Sequence, residues 1–304
     1  MAEARLVDGR ELSDIARMEL LARHAVEGFV SGLHKSPFHG QSVEYADHRP
    51  YVFGDEMDSI DWRLWAKTDK YYVKLFEDQT NLRATILLDA SQSMAFGSKE
   101  AEGGMSKFDY GRRLAAMLGY LMLKQNDAVG LALFDQSLRR YIPARSTATH
   151  FRVMLETLEQ ARPDSASGIA AVLHEMAGRL RRRGMVVLIS DLLDDPGRVA
   201  DGLAHFRFRR HDVIVFHLMD PTELTFPYER TSRFRDMEGP GQVVASPRTV
   251  RAQYLERLEA FLAESKRNCL ERGVGYQFVR TSEPCQTMLR AYLEKRSRSL
   301  SARG

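Results

Sequence analysis

The sequence predicts an α/β protein organised around a doubly wound, mostly parallel sheet, and three observations carry that expectation. Two apolar runs, Ala84 to Leu88 and Met185 to Ile189, end on an acid, Asp89 immediately and Asp191 one residue on, which is how strands covered on both faces read where they open into a polar loop. Helix-period segments alternate with such runs through the rest of the chain, the rhythm of successive βαβ units. The first eighty residues break that rhythm, so the chain is expected to divide into an appendage at 1–80 and an α/β domain at 81–304.

In chain order, Leu12, Ile15, Ala16, Leu20, Val26 and Phe29 recur at three- and four-residue steps and predict an amphipathic helix from Glu11 to about Val30, ended by Gly32. Leu33 to Asp78 is aromatic, with Tyr45, Tyr51, Phe53, Trp62, Trp65, Tyr71, Tyr72 and Phe76, and is interrupted by Gly40 and Gly54. That composition predicts a loop-rich segment with short strands, its tryptophans covering a sheet edge. One such strand is expected at Tyr72 to Glu77, paired antiparallel with the Leu82 to Asp89 strand. Arg49, Asp55, Asp61 and Arg63 are interleaved with the aromatics and predict a buried ion-pair network holding the appendage.

After Asp89 the polar stretch Ala95 to Ser106 predicts a loop, and Phe108 to about Gln125 a helix with Leu114, Met117, Leu118, Leu121 and Met122 facing the core. Asp127 to Phe134 reads as a second buried strand, returning through Leu138 to Ile142. Helices are expected at His150 to Gln160 and Gly168 to Arg182, then the Met185 strand. Pro196 is placed to open a helix to about Phe208, ahead of a strand at Asp212 to Leu218. Thr231 to Ala245 reads as a hairpin around Glu238-Gly239-Pro240-Gly241. Ser246 and Pro247 announce a long helix to about Arg272, followed by a strand at Gly275 to Thr281, a helix from Pro284 to about Arg296 and a frayed tail to Gly304.

Composition excludes several classes. Forty-four Lys and Arg stand against 41 Asp and Glu, a net charge of +3 that does not argue for nucleic acid. Basic clusters occur at Arg179 to Arg183 and at Phe206 to Arg210, and the first is better read as cations at a helix C-terminus. The two cysteines, Cys269 and Cys285, lack partners at disulfide-scaffold or metal spacing and read as packing thiols. No apolar run approaches the roughly 20 residues of a membrane span, and the first residues carry no apolar leader, so a cytoplasmic location is expected.

The chemistry concentrates in LRATILLDASQS, Leu82 to Ser93. Ligands of open α/β sheets gather beyond the carboxyl ends of the strands. There, hydroxyls two residues apart in an extended turn converge on one hard cation while the acid adds charge. Asp89-x-Ser91-x-Ser93 resembles the first loop of the metal-ion-dependent adhesion site of von Willebrand factor A domains. Carried over residue by residue, the resemblance implies a Mg²⁺ (or other divalent cation) site of Asp89, Ser91, Ser93, Thr149 and Asp191, with Thr147 as the alternative threonine. Leu192 stands where that family has a glycine, which would crowd the ion. Such a site grips a partner's acid. The competing reading is a metal-dependent phosphatase or hydrolase using Asp89 with Asp191, Asp194 and Asp195, although Ser91 occupies the place where phosphoryl-accepting aspartate families want a second acid. Nucleic-acid binding through the two basic clusters is a third reading.

Gly32-x-x-x-Ser36-x-x-x-Gly40, Glu44-Tyr45, Arg49-x-Tyr51, Gly54-Asp55, Ile60-Asp61-Trp62, then Asp236-x-Glu238, Tyr254 and Tyr292-Leu293 closely resemble a large bacterial family, domain of unknown function 58. That resemblance implies a von Willebrand factor A-like domain and association with MoxR-type AAA+ ATPases. The function it implies is a non-enzymatic adaptor or assembly factor.

Overall fold

The computed structural model describes residues 16–23, 26, 43–52, 60–78, 82–239 and 241–301. The expected signatures at Gly32 to Gly40 and at Gly54-Asp55, with Phe53 and residues 302–304, lie outside them. The chain forms two compact units, one spanning 38–82 and the other joining 1–37 with 83–304. Helical residues 16–23 therefore group with the α/β unit, on the other side of the expected division at 80. Their buried face is Met18 and Ala22, with Val26 beyond, while Leu20 is 52% exposed, one step round the helix from the expected face.

The smaller unit holds an antiparallel ribbon of β1 (Val43–Pro50) and β2 (Tyr72–Asp78), bulged between Tyr45 and Asp47. The Tyr72 strand thus pairs with β1 and not with the Leu82 to Asp89 strand. Between them, α1 (Trp62–Thr68) starts at Asp61, whose carboxylate accepts from the backbone N–H of Arg63 and Leu64 at 2.9 and 3.1 Å. Asp61 caps the helix, and Arg63, expected in a buried ion-pair network, is exposed. Trp65 stacks on Tyr71 at 6.1 Å, and Trp62, 54% exposed, meets Trp65 edge-on.

The α/β unit is built on a six-stranded sheet with the strands β3 (Arg83–Asp89), β4 (Ala128–Phe134), β5 (Leu138–Arg145), β6 (Met185–Ser190), β7 (Asp212–Met219) and β10 (Gly275–Arg280), in the spatial order β10-β7-β6-β3-β4-β5. All neighbours are parallel except the β4–β5 pair. The remaining elements are α2 (Lys107–Lys124), α3 (Ala148–Gln160), α4 (Ile169–Arg179), α5 (Pro196–Phe208), α6 (Pro221–Thr225), the hairpin β8 (Ser232–Arg235) and β9 (Gln242–Ala245), α7 (Pro247–Glu271) and α8 (Cys285–Ser301). Ser246 takes the N-cap position of α7 without a side-chain bond.

Period-two alternation sends the strands' side chains to two helical layers. Leu87, Val186, Leu188, Val213 and Val215 share a core with Ile169, Val172 and Leu173 of α4, Leu203 and Phe206 of α5 and Cys269 of α7. On the other face Leu88, Ile189 and Leu218 close around Gly111 of α2, and Phe216 meets Tyr292 of α8 edge-on at 5.0 Å. The sheet is doubly wound, as expected. The chain leaves β3 for β4 on one side and returns to β6 on the other, so the topological switch lies between β3 and β6, where Asp89 and Asp191 emerge.

Candidate functional site

Register builds the centre of the site. Leu88 pairs with Ile189, which puts Asp89 beside Ser190, and Ser190 Oγ donates to Asp89 Oδ2 at 2.6 Å. Asp89 Oδ1 accepts from Ser91 N at 2.9 Å, and the Oγ atoms of Ser91 and Ser93 lie 3.1 Å apart. Asp89, Ser91 and Asp191 are fully buried and Ser93 nearly so. Four of the five residues expected at the site therefore stand together at one rim.

Thr149 does not join them. β5 runs antiparallel to β4 and ends opposite Val129, so the chain enters α3 at the amino edge of the sheet. His150, next to Thr149, is bonded to Val129 O at 2.8 Å. Thr149 is exposed there, the length of a seven-residue strand, about 20 Å, from the rim; Thr147 caps α3 at the same end. The loop that reaches the rim follows α3: Asp164 N donates to Ala90 O at 2.9 Å, and Gln92 N to Ser165 O at 2.8 Å. It delivers Ser167, whose Oγ is buried and has no hydrogen-bond partner.

Three groups at the rim were not among the residues expected to line it. Lys107 Nζ, fully buried, lies 2.8 Å from Asp191 Oδ2 and 2.7 Å from Glu223 Oε1. Glu223 comes from α6, where its other oxygen accepts from Asp220 N in a reciprocal cap. Glu238, at the tip of the β8–β9 hairpin, accepts from Ser93 N at 3.4 Å and from Ser167 N at 2.9 Å. The signal for Lys107 was its place at the first position of α2, where the helix dipole disfavours a cation unless an acid compensates it.

Burial, and then repulsion from Asp191, pushes the Asp89 carboxyl up to about 7 against the bonds from Ser190 and Ser91. Burial also raises Glu223, against the pull of Lys107. Burial alone would lower Lys107, but Asp191 and Glu223 outweigh it and hold the ammonium above its ordinary range. Leu192, after Asp191, is buried and takes a left-handed backbone with φ 55°, as does Ser165 in the neighbouring loop. Strain of this kind, on the order of 1–2 kcal/mol per residue, is concentrated in functional loops.

His217 on β7 lies below this cluster, its Nδ1 2.8 Å from Tyr276 Oη, and burial lowers it to about 4. It is neutral in the fold, while in the unfolded chain it titrates near 6.5. Acidification therefore protonates the unfolded chain first, and the stability His217 confers is full above about pH 6.5 and lost towards pH 4. Between pH 7 and 5 the wild type should lose roughly 2 kcal/mol relative to His217→Phe in urea denaturation. Asp89 drifts in the opposite direction in both proteins, so the difference isolates the histidine, and parallel pH profiles would refute the assignment.

The oxygens at the rim suit a hard cation. Ser91, Ser93 and the orphaned Ser167 Oγ are hydroxyl donors, and of the charged groups named, Asp89, Asp191, Glu223 and Glu238 are carboxyls against the single ammonium of Lys107. Among the described residues no three Asp, Glu, His or Cys side chains converge as a metal cluster, so an ion here would depend on the hydroxyls.

A buried acid–hydroxyl rim at the switch point of a mostly parallel sheet defines the class: a doubly wound α/β domain. The chain belongs to the family Protein of unknown function DUF58, whose model matches residues 47–262. Uncharacterized protein Rv1480 of Mycobacterium tuberculosis is 26% identical over 228 residues, covering 73% of this chain and 69% of that protein. Uncharacterized protein YeaD of Bacillus subtilis is 28% identical over 182 residues, 59% of this chain and 42% of that one. Among solved structures, the conserved hypothetical protein BatB from Bacteroides thetaiotaomicron aligns at TM-score 0.46 and 18% identity, over 71% of this chain and 99% of that one. The SpRpn10 VWA domain aligns at 0.39 and 11%, over 68% and 93%.

Proposed function

We propose that this chain is a non-enzymatic protein-interaction module whose rim holds Mg²⁺, or a similar divalent cation, and recognises an acidic side chain of a partner. The observation that carries it is the convergence of the Ser91 and Ser93 hydroxyls beside Asp89 and Asp191, with Ser167 brought to the same rim by the bond from its N–H to Glu238. Ser91, Ser93 and Ser167 would hold the ion, with Asp89 and Asp191 supplying charge from behind. When bound, the cation supplies an open position that attracts a carboxylate. For the partner we take a MoxR-type AAA+ ATPase or its client, acting in the cytoplasm, on the strength of the family resemblance alone. Among the described residues no helix is long and apolar enough to cross a membrane.

The hydrolase alternative is weaker on geometry. Both oxygens of Asp89 are engaged, by Ser91 N and Ser190 Oγ, so neither is aimed at an incoming substrate. Isothermal titration of Mg²⁺ into the intact protein should give saturable heat that Ser91→Ala with Ser93→Ala abolishes. Absence of binding at millimolar Mg²⁺, in the wild type and with its partner present, removes the cation from the reading. Proteins that copurify with the wild type but not with Asp89→Ala plus Ser91→Ala would identify the partner.

A further inference from the structure

The rim already contains a carboxylate. Glu238 spans two loops that belong to different parts of the chain, accepting from Ser93 N at 3.4 Å with one oxygen and from Ser167 N at 2.9 Å with the other. Ser93 is the last residue of the Asp89-x-Ser91-x-Ser93 loop, so the carboxylate of Glu238 lies where an acidic ligand of that rim would lie. Two backbone N–H groups converging on one carboxylate make charge-assisted bonds and form a small anion cradle.

The element that delivers Glu238 is attached lightly. β8 and β9 form a two-stranded sheet of their own, outside the six-stranded sheet, and an isolated two-stranded hairpin is marginal in water. Val243 and Val244 on β9 are 63% and 65% exposed. Below the tip, one pair in from Arg235–Gln242, the hairpin is anchored by Phe234, stacked on Phe226 at 5.4 Å and edge-on to Tyr228 at 5.5 Å. The tip is held by Asp236, which accepts from Glu238 N at 2.9 Å while Asp236 N donates to Gly241 O at 2.8 Å. The tip can therefore leave the rim while the anchored part below it stays fixed. Beside it lies a cleft of about 460 Å³ lined by Gln92, Ser165, Arg235 and Glu238, which is room for an incoming side chain.

We infer that Ser93 N–H and Ser167 N–H form a carboxylate subsite, filled by Glu238 in the free chain, which a partner's Asp- or Glu-bearing segment takes over by displacing the hairpin tip. This rests on the reading of the rim as an acid-recognising surface, but the subsite is made of backbone amides and does not require the ion. A segment that competes with a tethered carboxylate binds with its affinity reduced by the fraction of time the tether is in place, so removing Glu238 raises the apparent affinity.

The test uses the intact chain and acetate as the probe, followed by the ¹⁵N–¹H shifts of Ser93 and Ser167, with EDTA in one arm and Mg²⁺ in the other. In Glu238→Ala both amides should exchange with solvent faster in the free protein, and acetate should shift both with an apparent affinity about tenfold tighter than in the wild type. Glu238→Gln, which keeps the shape and loses the charge, should fall between them. Unchanged amide exchange in Glu238→Ala, or acetate shifts absent from both amides in both arms, overturns the inference. Acetate shifts in the EDTA arm with no Mg²⁺ binding uphold the subsite and retire the cation; Mg²⁺ binding without acetate shifts does the reverse.

Discussion

Replacing Lys107 by methionine should cost the α/β unit about 3–5 kcal/mol of unfolding free energy, because it strands the buried Asp191 and the partly buried Glu223. The ammonium is fully buried, 2.8 Å from Asp191 and 2.7 Å from Glu223. Methionine fills similar volume but offers no charge, so Asp191 and Glu223 would be left facing each other in a medium where repulsion is poorly screened. Adding Glu223→Gln and Asp191→Asn to Lys107→Met should recover much of the loss, since an uncharged cluster of the same shape carries no such penalty. Urea denaturation of the three proteins at pH 7 checks both statements. A loss in Lys107→Met below about 1 kcal/mol would mean that water reaches the cluster and screens it.

Gly184→Val should destabilise by about 3 kcal/mol, at the upper end of overpacking costs. A Cβ at Gly184 would lie 2.2 Å from Arg83 O. That atom is backbone, at the start of β3, and cannot rotate away. The first β3–β6 pair is Ala84 with Met185, so the clash wedges apart the two strands whose far ends carry Asp89 and Asp191. Gly178→Ala is the control: its Cβ meets nothing within 4 Å, and alanine in place of glycine in the last turn of α4 should be neutral to stabilising, by at most roughly 1 kcal/mol. Thermal or urea denaturation showing equal effects for the two substitutions would refute the steric account.

Much of the fold was legible because strong local patterns and tertiary packing agree. The Ala84 and Met185 runs are buried end to end, and every residue expected on the core face of α2, from Leu114 to Met122, is buried. Pro196 opens α5 behind an Asp195 cap, and the hairpin forms around Glu238 to Gly241. The misreadings share one cause. Thr149 was carried over from the resemblance, as the threonine at the start of a helix, but the antiparallel return of β5 carries that stretch to the opposite edge of the sheet, and Ser167 arrives at the rim in its place. The Tyr72 strand was given its nearest apolar neighbour, whereas β1 supplies the pairing from nearly thirty positions away.

By itself the sequence determined the strands of the central sheet, the main helices that cover them and the acids at the ends of β3 and just beyond β6, because burial periodicity and chain-breaking residues act over a few positions. Only the tertiary structure decided which groups share the rim. Lys107, Glu223, Ser167 and Glu238 come from four separate elements, and their convergence depends on strand order and loop path, which no local pattern of side chains encodes.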